Sequence, residues 1–324
     1  DKKASIFSVF NLMTSHQSRT MVWPRERFLQ VVQSKLKPSE IHDPAKITLP
    51  PYYPDTPLVK KTLARYYDCV TRMDQRVGEI LERLKADGLY EDTIIFFYSD
   101  HGSGMPRHKR ALLDSGMRVP LLIRLPEKYR HMARSVAVRG VVDRLVNFED
   151  FGPTVLSLAG IDAIPGHMTG RAFLGSRDAP RRVHLFGHRD RVDEIMDMAR
   201  SVRSHDFLYI RNYMPHLGYN QPGAWIDQAE VRQEFYSLAV SGKVTPAQLQ
   251  YLSSTRPPEE LYNCVEDPLN LNNIAYSLNH EKLVTQMRNT LHRHLVQSRD
   301  LGLVPEIELW RHARAMPPME WAKT

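Results

Sequence analysis

Three short constellations hold residue types that do chemistry. The first is Ser99-Asp100-His101-Gly102-Ser103-Gly104, where a carboxylate and an imidazole stand on consecutive residues. Such donors bind divalent cations, and the glycines allow a turn tight enough for both side chains to converge on one ion. Two ligands do not complete a site, and the same letters make an ordinary polar turn. The second is Lys109, inside Pro106-Arg107-His108-Lys109-Arg110. An ammonium there is a compact charge able to stabilise a sulfuryl or phosphoryl group in transfer, although a solvated basic loop reads the same way. The third is His16, in Thr14-Ser15-His16-Gln17-Ser18, whose imidazole can hydrogen-bond an anion or protonate a leaving oxygen.

His184 and His188 have the H-x-x-x-H spacing of helical zinc sites, but Val183 and Leu185-Phe186-Gly187 between and before them read as strand. On a strand, residues four apart share a face yet stand about 13 Å from each other. A zinc pair is therefore not expected. His188 and Arg189 are expected instead to face the pocket as substrate contacts.

These residues need elements to present them. Lys3 to Met13 is a nearly continuous apolar run that reads as a buried strand ending at His16, and Thr93 to Tyr98 is a β-branched and aromatic run ending at Asp100. Ligands in open α/β sheets bind beyond the carboxyl ends of strands, which is where both candidates fall. A loop with prolines at 38, 44, 50, 51, 54 and 57 follows the first run, long enough to be functional or lid-like. Leu63, Tyr66, Val70, Met73, Val77, Ile80 and Leu84 then step by three and four, one face of a helix over Val59 to Ala86 that Gly88 ends. Further strands are expected at 119–124, 207–214 and 260–263, and helices at 150–159 and around Leu283, Met287, Leu291 and Leu295. The alternation implies an α/β fold with a doubly wound, mostly parallel sheet in residues 1–205, and a smaller C-terminal α+β subdomain in 206–324.

The bulk properties bound the function classes. At 324 residues with 42% hydrophobic content a sizeable core is available. No apolar run approaches the roughly 20 residues of a membrane span, so no membrane partner is expected. The net charge of +7 favours anionic partners, but the basic clusters are short, mixed with acids and free of nucleic-acid-binding signatures, so no nucleic acid is expected. Cys69 and Cys264 have no metal or redox spacing and read as buried free thiols. The chain opens on Asp1-Lys2-Lys3 without an initiating Met, a start that reads as truncated or processed.

Taken together, Thr93 to Gly102, then Lys109, then Asp114-Ser115-Gly116-Met117-Arg118-Val119-Pro120-Leu121-Leu122-Ile123 resemble the sulfatase family of the alkaline phosphatase superfamily. Asp143 with Phe148 to Gly160, Gly170-Arg171-Ala172-Phe173-Leu174, and Glu260-Leu261-Tyr262-Asn263 with Glu266-Asp267-Pro268 and Asn272-Asn273 are similar to later stretches of that family. The Pro106 loop and the 200–214 stretch look most like bacterial proteins similar to heparan N-sulfatase. The resemblance implies an alkaline phosphatase-like sheet, incomplete at its N-terminus, and a sulfuric ester hydrolase acting on a sulfated small molecule or glycan, by family periplasmic or secreted. It implies a divalent cation, Ca²⁺ or else Mg²⁺, on Asp100 and His101, with Lys109 and His16 gripping the sulfate. It also implies a formylglycine nucleophile made from Cys or Ser in a C/S-x-P/A-x-R pattern upstream of the matched region. Neither Cys69 nor Cys264 begins that pattern, so the chain is expected to lack the nucleophile and the paired N-terminal aspartates. Two other readings stay open: a phosphodiesterase or phosphonate monoester hydrolase of the same superfamily, and a catalytically silent protein that binds anionic glycans.

Overall fold

The stepped apolar positions after the proline-rich loop form a single helix, Pro57–Ala86, in a computed structural model that describes residues 6–133, 140–161 and 163–321. Thr56 caps it by accepting the Val59 N–H, and proline occupies its first position, where the missing N–H costs nothing. Past its end Gly88 takes a left-handed φ of 71°, the conformation a residue without Cβ adopts freely. Burial is concentrated in its first half, at Val59, Leu63, Ala64 and Cys69, with Cys69 packed against Phe28 and Val32.

The chain divides into two units. The first comprises Asp1–Glu91, Gly102–Lys109 and Pro222–Leu252; the second comprises Asp92–His101, Arg110–Gln221 and Ser253–Thr324. Besides the long helix, the first unit holds the helices Arg25–Val31, Glu230–Val240 and Pro246–Leu252, with short 3-10 turns through the proline-rich stretch.

The second unit holds the strands. β1 (Ile95–Tyr98) pairs with β2 (Leu121–Arg124), and β3 (Leu185–Arg189), β4 (Ala199–Arg203), β5 (Phe207–Asn212) and β6 (Glu259–Asn263) form a sheet in that order. Side chains alternate across the second sheet as the two-residue period requires. Val202, Tyr209 and Leu261 pack on one face against Val284, Met287, Leu291 and Leu295 of the helix Glu281–Ser298. Leu208, Ile210 and Tyr262 pack on the other with Leu112, Leu113 and Cys264.

The mixed helices and sheets are of the expected α/β class, with two differences. Every ladder among the described residues is antiparallel, whereas a mostly parallel sheet was expected. Parallel neighbours need a crossover that is usually a full helix, and the β1–β2 connection has only the one-turn helix Asp114–Met117 because most of it is the loop carrying Lys109. Second, the expected strand at Lys3 to Met13 is irregular over its described part, followed by one 3-10 turn at Met13–Ser15. Ile6, Phe7, Val9 and Phe10 stand exposed. Apolar composition specifies burial, but a strand exists only as part of a ladder, and no described strand pairs with this run.

Candidate functional site

In the first unit, the loop Gly102–Lys109 closes on itself. The Lys109 N–H donates to the Ser103 carbonyl (3.0 Å), the His108 N–H to the Met105 carbonyl (3.2 Å), and the Met105 N–H to Ser103 Oγ (3.3 Å). Arg107 adopts φ 69°, unfavourable for a side chain bearing Cβ, so surrounding contacts must hold the turn. Those contacts come from the proline-rich loop. Tyr53 donates its hydroxyl to the Pro106 carbonyl (2.7 Å) and stacks on His108, while the Tyr52 hydroxyl meets His108 Nε2 at 3.0 Å and the Arg107 guanidinium lies over the Tyr52 ring. His108 Nδ1 meets Ser103 Oγ at 2.7 Å. Burial, reinforced by the adjacent Arg107 charge, pushes the His108 imidazole down to about 4, so it is neutral at physiological pH. Burial likewise raises the Tyr52 phenol and raises Tyr53 further, keeping both as O–H donors.

The same loop packs on the turn that follows His16. Gly104 has no side chain, and a Cβ there would stand 2.6 Å from Cβ and 2.7 Å from Cα of Gln17. The turn that carries His16 and the turn that carries Lys109 therefore lie against each other at Gln17 and Gly104. His16 Nδ1 accepts the Ser18 N–H (3.3 Å) and lies 2.9 Å from Ser18 Oγ. A neutral His16 accepting at Nδ1 carries its proton on Nε2, which makes that nitrogen a donor. The Oε1 atom of Gln17 is buried with no hydrogen-bond partner among the described residues.

In the second unit, Asp100 and His101 follow β1 directly. Ser99 donates its hydroxyl to the His101 carbonyl (2.7 Å), and His101 Nε2 lies 3.5 Å from Asp100 Oδ2. The Asp100 side chain is 83% exposed and His101 about one-third exposed. A carboxylate oxygen and an imidazole nitrogen this close and this accessible suit two positions in the shell of a divalent cation. Among the described residues no group of three or more His, Cys, Asp or Glu side chains gathers around a common point.

His188 and Arg189 lie on β3, and their side chains part company. His188 is exposed, opposite Arg200 in the ladder. Arg189 is buried, with Nε 2.8 Å from Asp197 and a second guanidinium nitrogen donating to the Arg110 carbonyl (2.8 Å). Asp197 is shared with the equally buried Arg256. An arginine so committed holds the fold together, which corrects its expected placement facing a pocket. His184 precedes β3, and burial lowers its pKa.

Burial also pushes the two thiols up, Cys69 to about 12 and Cys264 to about 11, so neither is a nucleophile near neutral pH. The expected nucleophile pattern needs one correction. Ser135-Val136-Ala137-Val138-Arg139 has the letters S-x-A-x-R, although it follows the Asp100 strand in the sequence instead of preceding it, and it lies outside the described residues.

Five site residues were not singled out in the sequence: Gln17, Tyr52, Tyr53, Ser103 and His108. The one available signal was the aromatic pair Tyr52-Tyr53 between prolines, apolar surface in a stretch otherwise reading as solvated loop. The first unit also has a cleft of about 780 Å³ lined by Trp23, His42, Lys61, Arg65 and Asp68. There the buried Asp68 carboxylate accepts from the His42 N–H (2.9 Å) and from Gln33 (2.8 Å), and lies 2.9 Å from His42 Nδ1.

Residues 1–161 match the sulfatase family model. An ulvan-active sulfatase of Formosa agariphila is 36% identical over 86% of this chain and 46% of its own length. The human N-sulphoglucosamine sulphohydrolase is 29% identical over 78% of this chain and 51% of its own. Among solved structures, a sulfatase from Bacteroides fragilis superposes with a TM-score of 0.55 at 20% identity, covering 89% of this chain and 53% of that one. Another from Bacteroides thetaiotaomicron gives 0.54 at 18% identity, covering 81% and 51%. These superpositions show a shared alkaline phosphatase-like fold. The chain spans about half the length of the relatives it matches.

Proposed function

The chain belongs to the sulfatase family, and on that premise we propose that it supplies the sulfate-gripping part of a sulfuric ester hydrolase whose substrate is a sulfated carbohydrate. The observation that carries the reading is the seating of the Lys109 turn on the His16 turn, through the space left by the missing Gly104 side chain. Lys109 contributes a fixed positive charge to the non-bridging oxygens of a sulfuryl group, and His16 contributes its Nε2 proton, as a hydrogen bond or to a leaving oxygen. Carbohydrate is favoured because two relatives over most of this chain are an ulvan-active sulfatase and an N-sulphoglucosamine sulphohydrolase.

Sulfatases use a divalent cation. Asp100 and His101 are its proposed ligands here, with further donors needed to fill the shell. Ca²⁺ is the ion of choice because it tolerates irregular shells of six to eight ligands, with Mg²⁺ the alternative. Asp100 and His101 would hold such an ion, which would supply Lewis-acid chemistry when bound. A formylglycine nucleophile belongs to the same reading, outside the two cysteines of this chain.

The test is a pair of measurements on the protein. Calorimetry with inorganic sulfate should show binding that Lys109→Ala and His16→Ala each weaken. Turnover by the whole enzyme should be faster on a sulfated saccharide than on the matching phosphate ester. Phosphate ester preference would favour the phosphohydrolase reading, and sulfated-glycan binding with no turnover would favour the silent one.

A further inference from the structure

The hydrogen-bond chain Tyr52–His108–Ser103 has only one arrangement of protons that satisfies its buried members. A neutral imidazole donates from one nitrogen and accepts at the other. If His108 carried its proton on Nε2, that nitrogen would donate to Tyr52, and the Tyr52 hydroxyl hydrogen would have no acceptor. Tyr52 is only 5% exposed, and its hydroxyl has no other partner among the described residues. An orphaned buried donor is costly to desolvate, so the Tyr52 O–H donates to Nε2 and the His108 proton sits on Nδ1, donating to Ser103 Oγ.

Ser103 Oγ then accepts twice, from His108 Nδ1–H and from the Met105 N–H. Its own hydrogen must point away from both, and Ser103 is part-exposed, with no described acceptor taking that hydrogen. The backbone clasp between Ser103 and Lys109 keeps this hydroxyl on the same closed turn as the lysine.

We infer that Ser103 is a further donor to the bound oxyanion, its hydroxyl aimed by the Tyr52–His108 pair and carried on the turn that presents Lys109. Tyr52 and His108 are positioning residues that act through Ser103. The inference rests on the reading of Lys109 as a sulfate grip and adds a second donor class to it. A hydroxyl recognises a sulfuryl or phosphoryl oxygen by a directed bond, whereas an ammonium supplies charge with little direction.

The test uses the full chain with inorganic sulfate as the probe, read by calorimetry, and ¹⁵N NMR of the His108 ring. Ser103→Ala should weaken sulfate binding about tenfold, the loss expected for one directed bond to a charged group. Tyr52→Phe should weaken it by a similar factor, and the double variant should lose little more than either alone, because both act on one hydrogen bond. The NMR spectrum of the native chain should show protonated Nδ1 and unprotonated Nε2. Protonated Nε2, or unchanged sulfate affinity in Ser103→Ala when Lys109→Ala weakens binding, overturns the inference while leaving the sulfate grip intact. Sulfate affinity left unchanged by Lys109→Ala overturns the underlying reading instead. If Tyr52→Phe fails to fold, Ser103→Ala decides the matter alone, since it removes one part-exposed oxygen.

Discussion

Gly104 and Gln17 touch so closely that a Cβ on the glycine would lie 2.6 Å from the Gln17 Cβ and 2.7 Å from its Cα. One of those atoms is backbone, so relief requires moving a main-chain segment. Gly104→Ala should therefore pry the Lys109 turn from the His16 turn, at about 1–3 kcal/mol, the usual range for forcing volume into a packed contact. Chemical denaturation reads the stability loss, and sulfate titration should show weaker binding in the fraction that remains folded. Wild-type stability and affinity in this variant would mean that the two turns can slide apart at no cost.

His108 gives a signed pH dependence. Its folded-state value of about 4 lies below the ordinary 6.5, so below about pH 6.5 the unfolded chain binds a proton that the folded chain does not. The stability contributed by the neutral imidazole is complete above pH 6.5 and is lost as pH falls toward 4, by roughly 2–4 kcal/mol. His108→Gln removes that titration and should flatten the stability profile between pH 6.5 and 4 relative to wild type. A profile equally steep in both proteins would assign the acid sensitivity to other groups.

Lys109→Ala should lower turnover of an aryl sulfate by the whole native enzyme by about two orders of magnitude or more, the loss typical of one group that stabilises transition-state charge. Lys109→Arg should recover little, because a planar fork does not occupy the position of a compact ammonium. Steady-state kinetics on the three proteins measures both effects, and an unchanged rate in the alanine variant would remove Lys109 from the mechanism.

Asp100→Asn should weaken cation binding. Its carboxylate is the exposed hard donor of the Asp100–His101 pair, and an amide oxygen keeps the shape while losing the charge. Metal content by mass spectrometry after dialysis against a fixed free calcium concentration is the measurement, and undiminished content would exclude Asp100 as a ligand.

Features encoded within one stretch of chain are legible in the sequence, and features made by two distant stretches are not. The helix Pro57–Ala86 was legible because its cap, its apolar stripe and its terminating Gly88 all sit within one stretch of chain. Asp100, His101 and Lys109 stood out as candidates because the types of neighbouring residues already suggested chemistry. The contact between Tyr52 and His108 was not legible, since they meet across 56 positions and neither shows a motif. The exposed run at Ile6 to Phe10 failed for the related reason that strand pairing is a property of two segments.

Arg189 provides the sharpest separation of a binding residue from a structural one. A substrate contact would lose affinity on substitution and leave stability nearly unchanged. Here Asp197 is fully buried between Arg189 and Arg256, and both guanidinium groups are almost wholly out of solvent. Asp197→Asn would leave two buried cations without their shared counter-charge, so it should destabilise the fold by about 3–5 kcal/mol, the cost of breaking a buried pair from one side. Arg189→Met removes one of the two cations and leaves Asp197 paired with Arg256, so its cost should be distinctly smaller, while sulfate affinity stays at the wild-type level. Denaturant titration of both variants ranks the costs. A ranking in the reverse order, or a sulfate affinity that falls with Arg189→Met at unchanged stability, would restore the arginine to the binding surface.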